Sequence, residues 1–401
     1  MTTPDLPILI LRERADKRLR GGHCWVYSNE VNTDKTPLTV LTPGDIVQVQ
    51  DANGKPVGIA YVNPHSLICA RLLSRRPDQP IDTAFFRKRI RRALEWREQC
   101  FGEPFYRLIY GEGDGLPGLV VDRYGDVLVA QIGAAGIERH KEAVINALEA
   151  ELKPAGIVLR NTSGVRELEG LETYTEVVRG TVPEQVEMME NGAKFLVPVM
   201  DGQKTGWFYD HRDGRAQLQR WAKGKRVLDV FSYIGGWGVQ ALVAGASEAV
   251  LIDSSEPALN MAIENAKLND CVDRITTVQG QALDAMRELI AAGEKFDAVV
   301  VDPPAFIKRR KDMSKGEQGY RRVNELAMRL VDKEGLLVSA SCSLHLTRDA
   351  LTDVVRGASR HIDRETRIVA TTGLGADHPV PPAIPETDYL KTLFCRVLPA
   401  D

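Results

Sequence analysis

Two aspartates in the C-terminal half lie beside a glycine-rich turn. Asp229 belongs to the apolar run Val227–Val230, which leads directly into Phe231-Ser232-Tyr233-Ile234-Gly235-Gly236-Trp237-Gly238. Asp253 ends the next apolar run along the chain. Glycine at a strand-to-helix turn lets the backbone approach a ligand closely, and an acidic side chain at the end of the following strand can accept both ribose hydroxyls. These residues predict a crevice that binds a nucleoside.

The spacing of the glycines restricts the kind of ligand. It is not G-x-G-x-x-G, and the sequence contains no glycine-lysine-serine phosphate loop. A ligand without phosphates is therefore favoured. S-adenosylmethionine has an adenosine and a cationic amino-acid tail, so we expect Asp229 to meet the ammonium of the tail and Asp253 to meet the ribose.

Two further motifs follow apolar runs. Asp302-Pro303-Pro304-Ala305-Phe306 follows Phe296–Val301, and Ser341-Cys342-Ser343 follows Gly335–Ala340. Taken alone, Asp302-Pro303-Pro304 could be a rigid turn at a strand exit, and Cys342 could be a small buried apolar residue. Both motifs fall where strand ends converge beside the crevice, and this position favours a chemical role.

The elements that position these motifs alternate between β and α from Lys225 onward. Such alternation implies right-handed crossovers and a mostly parallel, doubly wound α/β sheet. The predicted strands of this sheet are Arg226–Val230, Ala249–Asp253, Ile275–Val278, Phe296–Val301 and Gly335–Ala340.

The N-terminal half has a different texture. Residues Asp45–Val49 alternate, Asn53-Gly54 is a hairpin signal, and Val57–Val62 is apolar, so residues 1–76 predict a small all-β domain. An N-terminal extension of a larger sheet is the alternative. Residues 77–190 mix strands with two helices, which indicates an α+β middle domain, and residues 191–401 form the α/β domain. The elements predicted for the middle domain are a helix at Asp82–Gln99, strands at Leu119–Val121 and Val127–Ile132, a helix at His140–Ala150, a strand at Gly156–Leu159 and a hairpin turn at Glu190-Asn191-Gly192.

Composition limits the class of protein. Hydrophobic residues make up 43% and charged residues 27% of the 401 residues, as in ordinary globular proteins. No apolar run approaches the roughly 18 residues that cross a bilayer, and the short run Ile8–Leu11 leads straight into charged residues, so we expect neither a membrane partner nor a secretion signal. The six cysteines are scattered, which predicts reduced thiols, no metal site and a cytoplasmic location.

Net charge also bears on binding partners. At −3, the chain has no global basic field, so contact with nucleic acid must come from local basic clusters. The last such cluster follows Asp302-Pro303-Pro304 and precedes Gly316 and Gly319, which predicts a mobile loop at the mouth of the crevice. The candidate clusters are Arg18 with Arg20, Arg87 to Arg92, and Lys308, Arg309, Arg310 and Lys311.

Together these motifs resemble the PUA-domain-containing class I RNA methyltransferases, specifically the bacterial 23S ribosomal RNA cytosine-C5 methyltransferase group. The resemblance covers essentially the whole chain and adds two segments, Gly22–Tyr27 and Gln203–Asp210. It implies a PUA-like domain over 1–76 and a Rossmann-like methyltransferase domain over 191–401. It also implies S-adenosylmethionine as cofactor, and it places beside this cofactor Gln203, Lys204, Thr205, Tyr233, Gly235, Asp253 and Ser254.

The chain departs from the family pattern at two places. Cys24 stands where family members often have proline. Gly280-Gln281 stands where many class I methyltransferases place an aspartate near the adenine amino group. Because a glutamine amide oxygen can accept the same hydrogen bond, Gln281 is the expected adenine contact.

The resemblance implies catalytic roles for Cys342 and Asp302. Cytosine C5 is a poor nucleophile, so the thiolate of Cys342 would first attack C6, while Asp302 would hold the N4 amino group or N3. A second cysteine found in two-cysteine relatives is absent, because Pro304-Ala305 occupies that stretch. The base that removes the C5 proton is unassigned. The implied partner is ribosomal RNA of the large subunit, naked or partly assembled, and a homodimer is left open.

Two other functions fit parts of the sequence. Asp-Pro-Pro followed by an aromatic residue holds exocyclic amines in purine methyltransferases, so guanine N-methylation is the nearest rival. Here Ala305 separates Pro304 from Phe306, and a purine nitrogen would not need Cys342. A non-enzymatic RNA-binding or ribosome-assembly protein with a relic cofactor fold is the second rival, against which the intact Asp229, Asp253, Asp302 and Cys342 argue.

Overall fold

A computed structural model describes residues 6–400. Residues 1–5 and Asp401, which the predicted domains 1–76 and 191–401 include, lie outside this range. The chain divides into two compact units. The first unit extends to Val186 and includes Val197–Tyr209 and Ala376–Thr387, while the second comprises Glu187–Leu196, Asp210–Gly375 and the residues from Asp388 onward. Within 6–400, no helix has the length and apolar character needed to cross a bilayer.

The first unit begins with a five-stranded sheet in the order β1-β3-β4-β5-β2. The alternation predicted around Asp45–Val49 is present, because Val47 and Val49 are buried in the core while Ile46 and Gln48 are only half-buried. β1 pairs with β3 in parallel, and the other pairs are antiparallel. The predicted all-β domain is thereby confirmed. Its elements are β1 (Ile8–Ile10), α1 (Asp16–Arg20), β2 (Trp25–Tyr27), β3 (Ile46–Gln50), β4 (Pro56–Val62) and β5 (Ile68–Ser74).

A second sheet of the first unit has the order β10-β9-β8-β7-β6. Helix α2 packs on it through Phe86 and Ile90 and begins where the Asp82 carboxylate accepts a hydrogen bond from the backbone N–H of Phe85 at 2.9 Å. The elements are α2 (Thr83–Cys100), β6 (Phe105–Tyr110), β7 (Leu119–Tyr124), β8 (Val127–Ile132), α3 (Ala135–Arg139), α4 (Lys141–Leu152), β9 (Gly156–Asn161), α5 (Val165–Leu168) and β10 (Tyr174–Gly180).

A hairpin follows, formed by β11 (Gln185–Glu190) and β12 (Ala193–Pro198). Its two turn residues, Asn191 and Gly192, both have positive φ, at 53° and 80°. A two-residue turn of this kind needs left-handed conformations that asparagine and glycine adopt readily. The predicted turn at Glu190-Asn191-Gly192 is confirmed.

The second unit contains a seven-stranded sheet in the order β15-β14-β13-β16-β17-β19-β18. The five predicted runs form β13, β14, β15, β16 and β17, which are parallel. Strand β19 is antiparallel to both β17 and β18, and neither β18 nor β19 was predicted. The elements are α6 (Arg212–Ala222), β13 (Arg226–Val230), α7 (Gly236–Val243), β14 (Glu248–Asp253), α8 (Glu256–Leu268), β15 (Ile275–Gln279), α9 (Ala282–Ala291), β16 (Phe296–Val301), α10 (Met313–Leu330), β17 (Val331–Ser341), α11 (Arg348–His361), β18 (Arg364–Thr372) and β19 (Lys391–Pro399).

The strand order reverses at β13, which lies between β14 and β16. From β13 the chain first moves outward through β14 to β15 and then returns to the other side with β16 and β17. A crevice opens at the carboxyl ends of parallel strands at such a reversal point. Here Asp229 pairs in register with Leu251 on one side and with Val300 on the other. This arrangement brings the predicted motifs together at the carboxyl ends of the parallel strands, which we call the carboxyl edge of the sheet.

The stretch after Asp302 differs from the predicted mobile loop. Helix α10 begins at Met313, so Gly316 and Gly319 lie within a helix. A Cβ atom at Gly316 would come within 2.2 Å of Ile307 Cγ1, and one at Gly319 within 3.1 Å of Phe306 Cδ2. These glycines let the segment after Asp302 pack closely on α10. The loop prediction was wrong for them because glycine signals close packing as well as loops.

We predict that Phe296→Ala destabilises the second unit. Phe296, the first residue of β16, is 1% exposed in the core of this unit, and truncating a buried phenylalanine costs about 3–5 kcal/mol. The matched control is Ile368→Ala on β18, where the side chain is 46% exposed and the expected change is within about 0.5 kcal/mol. Urea unfolding of both variants is the measurement. Equal midpoints for the two variants would contradict the packing described here.

Candidate functional site

The turn between β13 and α7 is held in an uncommon backbone conformation. Phe231, Tyr233 and Gly235 have φ values of 67°, 50° and 84°. The backbone N–H groups of Phe231 and Ser232 both donate to the carbonyl of Ile252, at 2.9 and 3.0 Å. A Cβ at Gly235 would lie 3.0 Å from Val239 Cγ2, so glycine suits both the conformation and the space. Left-handed residues concentrated in one turn mark a segment that the surrounding structure holds rigidly.

Asp229 lies beneath this turn and is fully buried. Its Oδ2 accepts a hydrogen bond from the backbone N–H of Gly238 at 2.9 Å, whereas its Oδ1 has no partner among residues 6–400. Burial raises the pKa of Asp229 to about 7, and the nearby negative charge of Asp302 acts in the same direction. The hydroxyl of Ser232 is likewise buried without a described partner. A buried carboxylate with one unsatisfied oxygen suits a cationic ligand group.

Asp253 ends β14 and fixes the turn from the other side. Its Oδ2 accepts from the backbone N–H of Tyr233 and its Oδ1 from that of Ser255, both at 2.9 Å. The backbone N–H of Gly280 donates to the Asp253 carbonyl at 3.0 Å, which places Gln281 at the next strand end. Ser254 and Gln281 are exposed. Each carboxylate oxygen of Asp253 retains a lone pair for a ribose hydroxyl.

The structure therefore brings together six of the nine predicted cofactor residues at the ends of β13, β14 and β15: Asp229, Tyr233, Gly235, Asp253, Ser254 and Gln281. Their oxygens and the close backbone approach at Gly235 fit the tail, ribose and adenine of S-adenosylmethionine. The role of each residue toward the cofactor stays a proposal.

The other three predicted cofactor residues, Gln203, Lys204 and Thr205, belong to the first unit. Thr205 is fully buried and its hydroxyl donates to Asp122 Oδ2 at 2.5 Å. The ammonium of Lys204 lies 4.1 Å from the centre of the Phe208 ring. Their proximity to the cofactor stays a prediction from the family resemblance.

Asp302 follows β16 and shares one oxygen between two neighbours. His211 Nε2 lies 3.2 Å from Asp302 Oδ2, and Trp237 Nε1 donates to the same atom at 3.4 Å. The His211 and Trp237 rings also meet edge to face, with centroids 5.7 Å apart. Neither ring was predicted to belong to the site. Trp237 belongs to the glycine-rich motif and lies at the start of α7, and His211 directly follows the segment Gln203–Asp210, so both were within or next to recognised motifs.

Cys342 follows the last residue of β17 and is half-buried. Its neighbours Ser341 and Ser343 are fully buried. The Ser341 hydroxyl donates to the Tyr320 hydroxyl at 3.0 Å, and the Tyr320 and Ser343 hydroxyls lie 2.8 Å apart. Because both flanking side chains are bound to one tyrosine of α10, the position of the cysteine backbone is restricted.

The Asp302 and Cys342 motifs are also joined directly. The backbone N–H of Ile307, in the segment after Asp302, donates to the Ser343 hydroxyl at 3.2 Å. In addition, Lys391 Nζ donates to the Ser343 carbonyl at 2.6 Å. Strands β16 and β17 are neighbours, with Val301 paired to Ser339. The two predicted catalytic residues thus follow adjacent parallel strands on the same edge of the sheet.

The predicted basic residues have different surroundings. Arg18 pairs with Glu30 at 2.8 Å, and Arg20 pairs with Asp16 at 2.6 Å and with Asp51 at 3.0 Å. Such pairing reduces the attraction of these two arginines for a phosphate, because part of their positive charge is already neutralised. The residues of the third cluster are all exposed and form no ion pair with any residue in 6–400; they are Lys308, Arg309, Arg310 and Lys311.

Comparison with known proteins defines the class. Residues 169–363 match the family model for S-adenosylmethionine-dependent methyltransferases, and residues 9–75 match that for a PUA-like domain. The crystal structure of SMU.776, a candidate methyltransferase complexed with SAH, superposes with a TM-score of 0.84 at 20% identity, covering 98% of this chain and 100% of that one. A candidate SAM-dependent methyltransferase from Streptococcus mutans superposes with a TM-score of 0.83 at 19% identity, with the same coverage. These structures confirm the predicted fold, and the family model indicates the class, which is that of the S-adenosylmethionine-dependent methyltransferases.

The particular family follows from sequence identity. The ribosomal RNA large subunit methyltransferase I of Escherichia coli O139:H28 is 36% identical over 395 residues, which covers 97% of this chain and 99% of that protein. The chain belongs to the family of this methyltransferase. Membership in this family, together with the match to the S-adenosylmethionine-dependent family model, confirms the predicted cofactor, S-adenosylmethionine.

We predict that Asp229 makes cofactor binding depend on pH. A carboxyl group with a pKa of about 7 is mostly protonated at pH 6 and mostly ionised at pH 8, and only the ionised form pairs with an ammonium. The affinity for S-adenosylhomocysteine should therefore rise about tenfold from pH 6 to pH 8 in the wild type. In Asp229→Asn it should be weaker at pH 8 and lack this rise. Calorimetry across the pH range measures both.

The control is Asp284→Asn on α9, whose side chain is 66% exposed and which should keep the wild-type trend. A wild-type affinity that does not change between pH 6 and pH 8 would refute the role of Asp229.

Proposed function

We propose that the protein methylates C5 of a cytosine in large-subunit ribosomal RNA, with Cys342 as the nucleophile. The observation that carries this proposal is the placement of Cys342. It is a half-buried thiol directly after β17, flanked by two serines that are bound to Tyr320. Strand β17 pairs with β16, and Asp302 directly follows β16. A cysteine that served only as core filling would not need such support at the ligand-binding edge of the sheet.

The chemistry follows from the weak nucleophilicity of cytosine C5. When bound, S-adenosylmethionine supplies an electrophilic methyl group. Attack of Cys342 Sγ on C6 forms a thioether bond and gives C5 enamine character, so that C5 can accept the methyl group. Loss of the C5 proton then restores the C5–C6 double bond and breaks the bond to sulfur.

Asp302 is suited to hold the exocyclic amine of the base. His211 and Trp237 both contact its Oδ2, and these contacts orient the carboxylate. A carboxylate oriented in this way can accept a hydrogen bond from the cytosine N4 amino group. Phe306 packs against Tyr320, with ring centroids 4.8 Å apart, so it supports the loop beneath Asp302. This placement disfavours a purine-binding role for Phe306.

The substrate class comes from the family. The relative from Escherichia coli is named a ribosomal RNA large subunit methyltransferase, and its similarity covers nearly the whole chain. We infer the same class of RNA for this protein, naked or partly assembled, and hence a place in the cytoplasm. The PUA-like domain over residues 9–75 is a second surface for the RNA.

We predict that Cys342→Ala abolishes methyl transfer and leaves affinity for S-adenosylhomocysteine near that of the wild type, because the thiol acts only on the base. RNA containing 5-fluorocytosine should trap the wild-type protein as a covalent adduct, since fluorine at C5 blocks the final elimination. Denaturing electrophoresis detects the adduct. The control is Cys100→Ala, which removes an exposed thiol and should keep activity and adduct formation.

Retention of activity by Cys342→Ala would exclude a covalent mechanism through this residue. Guanine N-methylation would then become the preferred reaction. Adduct formation by Cys342→Ala would instead assign the nucleophile to a different cysteine.

We further predict that the exposed basic cluster after Asp302 binds RNA phosphates. Flipping a base out of its stack costs a few kcal/mol and needs backbone contacts close to the flipped nucleotide. Replacing the cluster by glutamine should weaken RNA binding and lower the salt slope by about 0.7 to 0.9 for each phosphate that the variant no longer neutralises, with cofactor affinity unchanged. The four replaced residues are Lys308, Arg309, Arg310 and Lys311.

The control removes the same amount of charge from dispersed exposed positions of the same unit, namely Lys223, Lys267, Lys333 and Arg360. RNA binding at several salt concentrations compares the two variants with the wild type. If both variants show the same salt slope, net charge accounts for the effect and the cluster makes no specific phosphate contact.

A further inference from the structure

A buried lysine lies beside the proposed nucleophile. Lys391 is the first residue of β19, is 6% exposed and pairs in register with Ser341. Its Nζ donates to the carbonyl of Ser343 at 2.6 Å and to the carbonyl of Tyr389 at 2.7 Å. The lysine thus contacts the residues on both sides of Cys342, one through strand pairing and the other through its amine.

The charge of this lysine is incompletely balanced. No carboxylate among residues 6–400 lies within ion-pair distance of its Nζ, whose two hydrogen-bond partners are neutral carbonyls. Burial lowers the pKa of Lys391 to about 8, and positive Arg348 acts in the same direction. Negative charge on Cys342 or Asp388 raises it. A buried ammonium of this kind is stabilised by a nearby anion.

Hydroxyl groups and charges lie around the segment that carries the cysteine. Ser341 and Ser343 flank it in the chain, and both of their hydroxyls are bound to that of Tyr320, the one group of the three that titrates. Burial raises the pKa of Tyr320, and negative charge on Cys342 raises it further, so the phenol stays neutral at physiological pH. Arg348 adds positive charge, and Asp388 opposes it. Lys391 is a buried cation whose amine is bound to the backbone of the residue that follows the cysteine.

We propose that the ammonium of Lys391 is the counter-charge that holds Cys342 as a thiolate. The attraction is mutual: the negative charge of the thiolate stabilises the ammonium of Lys391, and the ammonium stabilises the thiolate by the same amount. The thiol proton is released to solvent, so no further reactant is needed. For catalysis the proposal rests on the role of Cys342 given above. Lys391 then acts as a positioning residue that stabilises the thiolate before attack on C6 and again when the thiolate leaves.

The first test needs no substitution. The rate of alkylation of each cysteine by iodoacetamide is followed against pH, with peptide mass spectrometry to separate Cys342 from exposed Cys100. Since only thiolates react, the midpoint of the rate profile reports the pKa of the thiol. We expect the Cys342 midpoint to lie at least about one pH unit below that of Cys100. At a pH well below both midpoints, the thiolate fraction of Cys342 would then be about tenfold larger than that of Cys100. A midpoint equal to or above that of Cys100 overturns the proposal.

The second test removes the charge. In Lys391→Met the Cys342 midpoint should move upward by about one unit or more, whereas Lys391→Arg should restore a low midpoint because guanidinium stays charged. Lys333→Met, at an exposed position, is the control and should keep the wild-type profile. A folded Lys391→Met protein, judged by circular dichroism and S-adenosylhomocysteine binding, that keeps the wild-type midpoint also overturns the proposal.

These measurements are separate from the reaction on RNA. Alkylation involves neither cytosine nor a methyl group, so an inactive or differently specific enzyme would leave the profiles unchanged. Conversely, loss of activity in Cys342→Ala together with an ordinary Cys342 midpoint would support the nucleophile and reject the lysine as its counter-charge.

Discussion

The backbone hydrogen bonds that join β13 to β14 on one side and to β16 on the other are the constraint on which the site depends. They place Asp229 between Leu251 and Val300 and bring neighbouring strand ends to one edge of the sheet. The pairing of β16 with β17 extends this edge to Cys342. Because parallel strands all present their carboxyl ends on the same side, residues far apart in sequence become neighbours without any loop having to reach across the sheet.

Burial of polar groups then determines the chemical properties of the residues at these strand ends. The backbone N–H groups of Tyr233 and Ser255 satisfy both oxygens of Asp253, whereas that of Gly238 satisfies only one oxygen of Asp229. The unsatisfied oxygen and the raised pKa of Asp229 have the same cause, which is the removal of a carboxyl group from water. A positively charged ligand group offsets this cost. At the other end of the edge, Tyr320 and the serines beside Cys342 satisfy one another.

The sequence predicted the parts of this arrangement that follow from local patterns. Apolar periodicity located the five parallel strands, and the motifs around Asp229, Asp253, Asp302 and Cys342 fell at strand ends as expected. The antiparallel strands β18 and β19 escaped prediction. In β18, apolar and polar residues alternate only weakly, and its residues are half-buried or exposed. In addition, the residues of a strand do not specify which strand it pairs with.

Contacts between segments that are far apart in the sequence were the second feature that could not be predicted. Lys391 reaches the carbonyl of Ser343 across 48 positions, and His211 meets Asp302 only through the folded sheet. No spacing rule connects such pairs. Gly316 and Gly319 show the same limit, since their role is to admit Ile307 and Phe306 against α10, and that requirement is visible only once the helix and the segment are packed together.

The identity of the methylated base tests the central claim most directly. Unmodified total ribosomal RNA is incubated with the protein and isotopically labelled S-adenosylmethionine, digested to nucleosides and analysed by mass spectrometry. The account predicts that the label appears in 5-methylcytidine derived from large-subunit RNA. Label in a methylated guanosine would contradict it, because an attack by a purine nitrogen has no use for a thiolate at the end of β17.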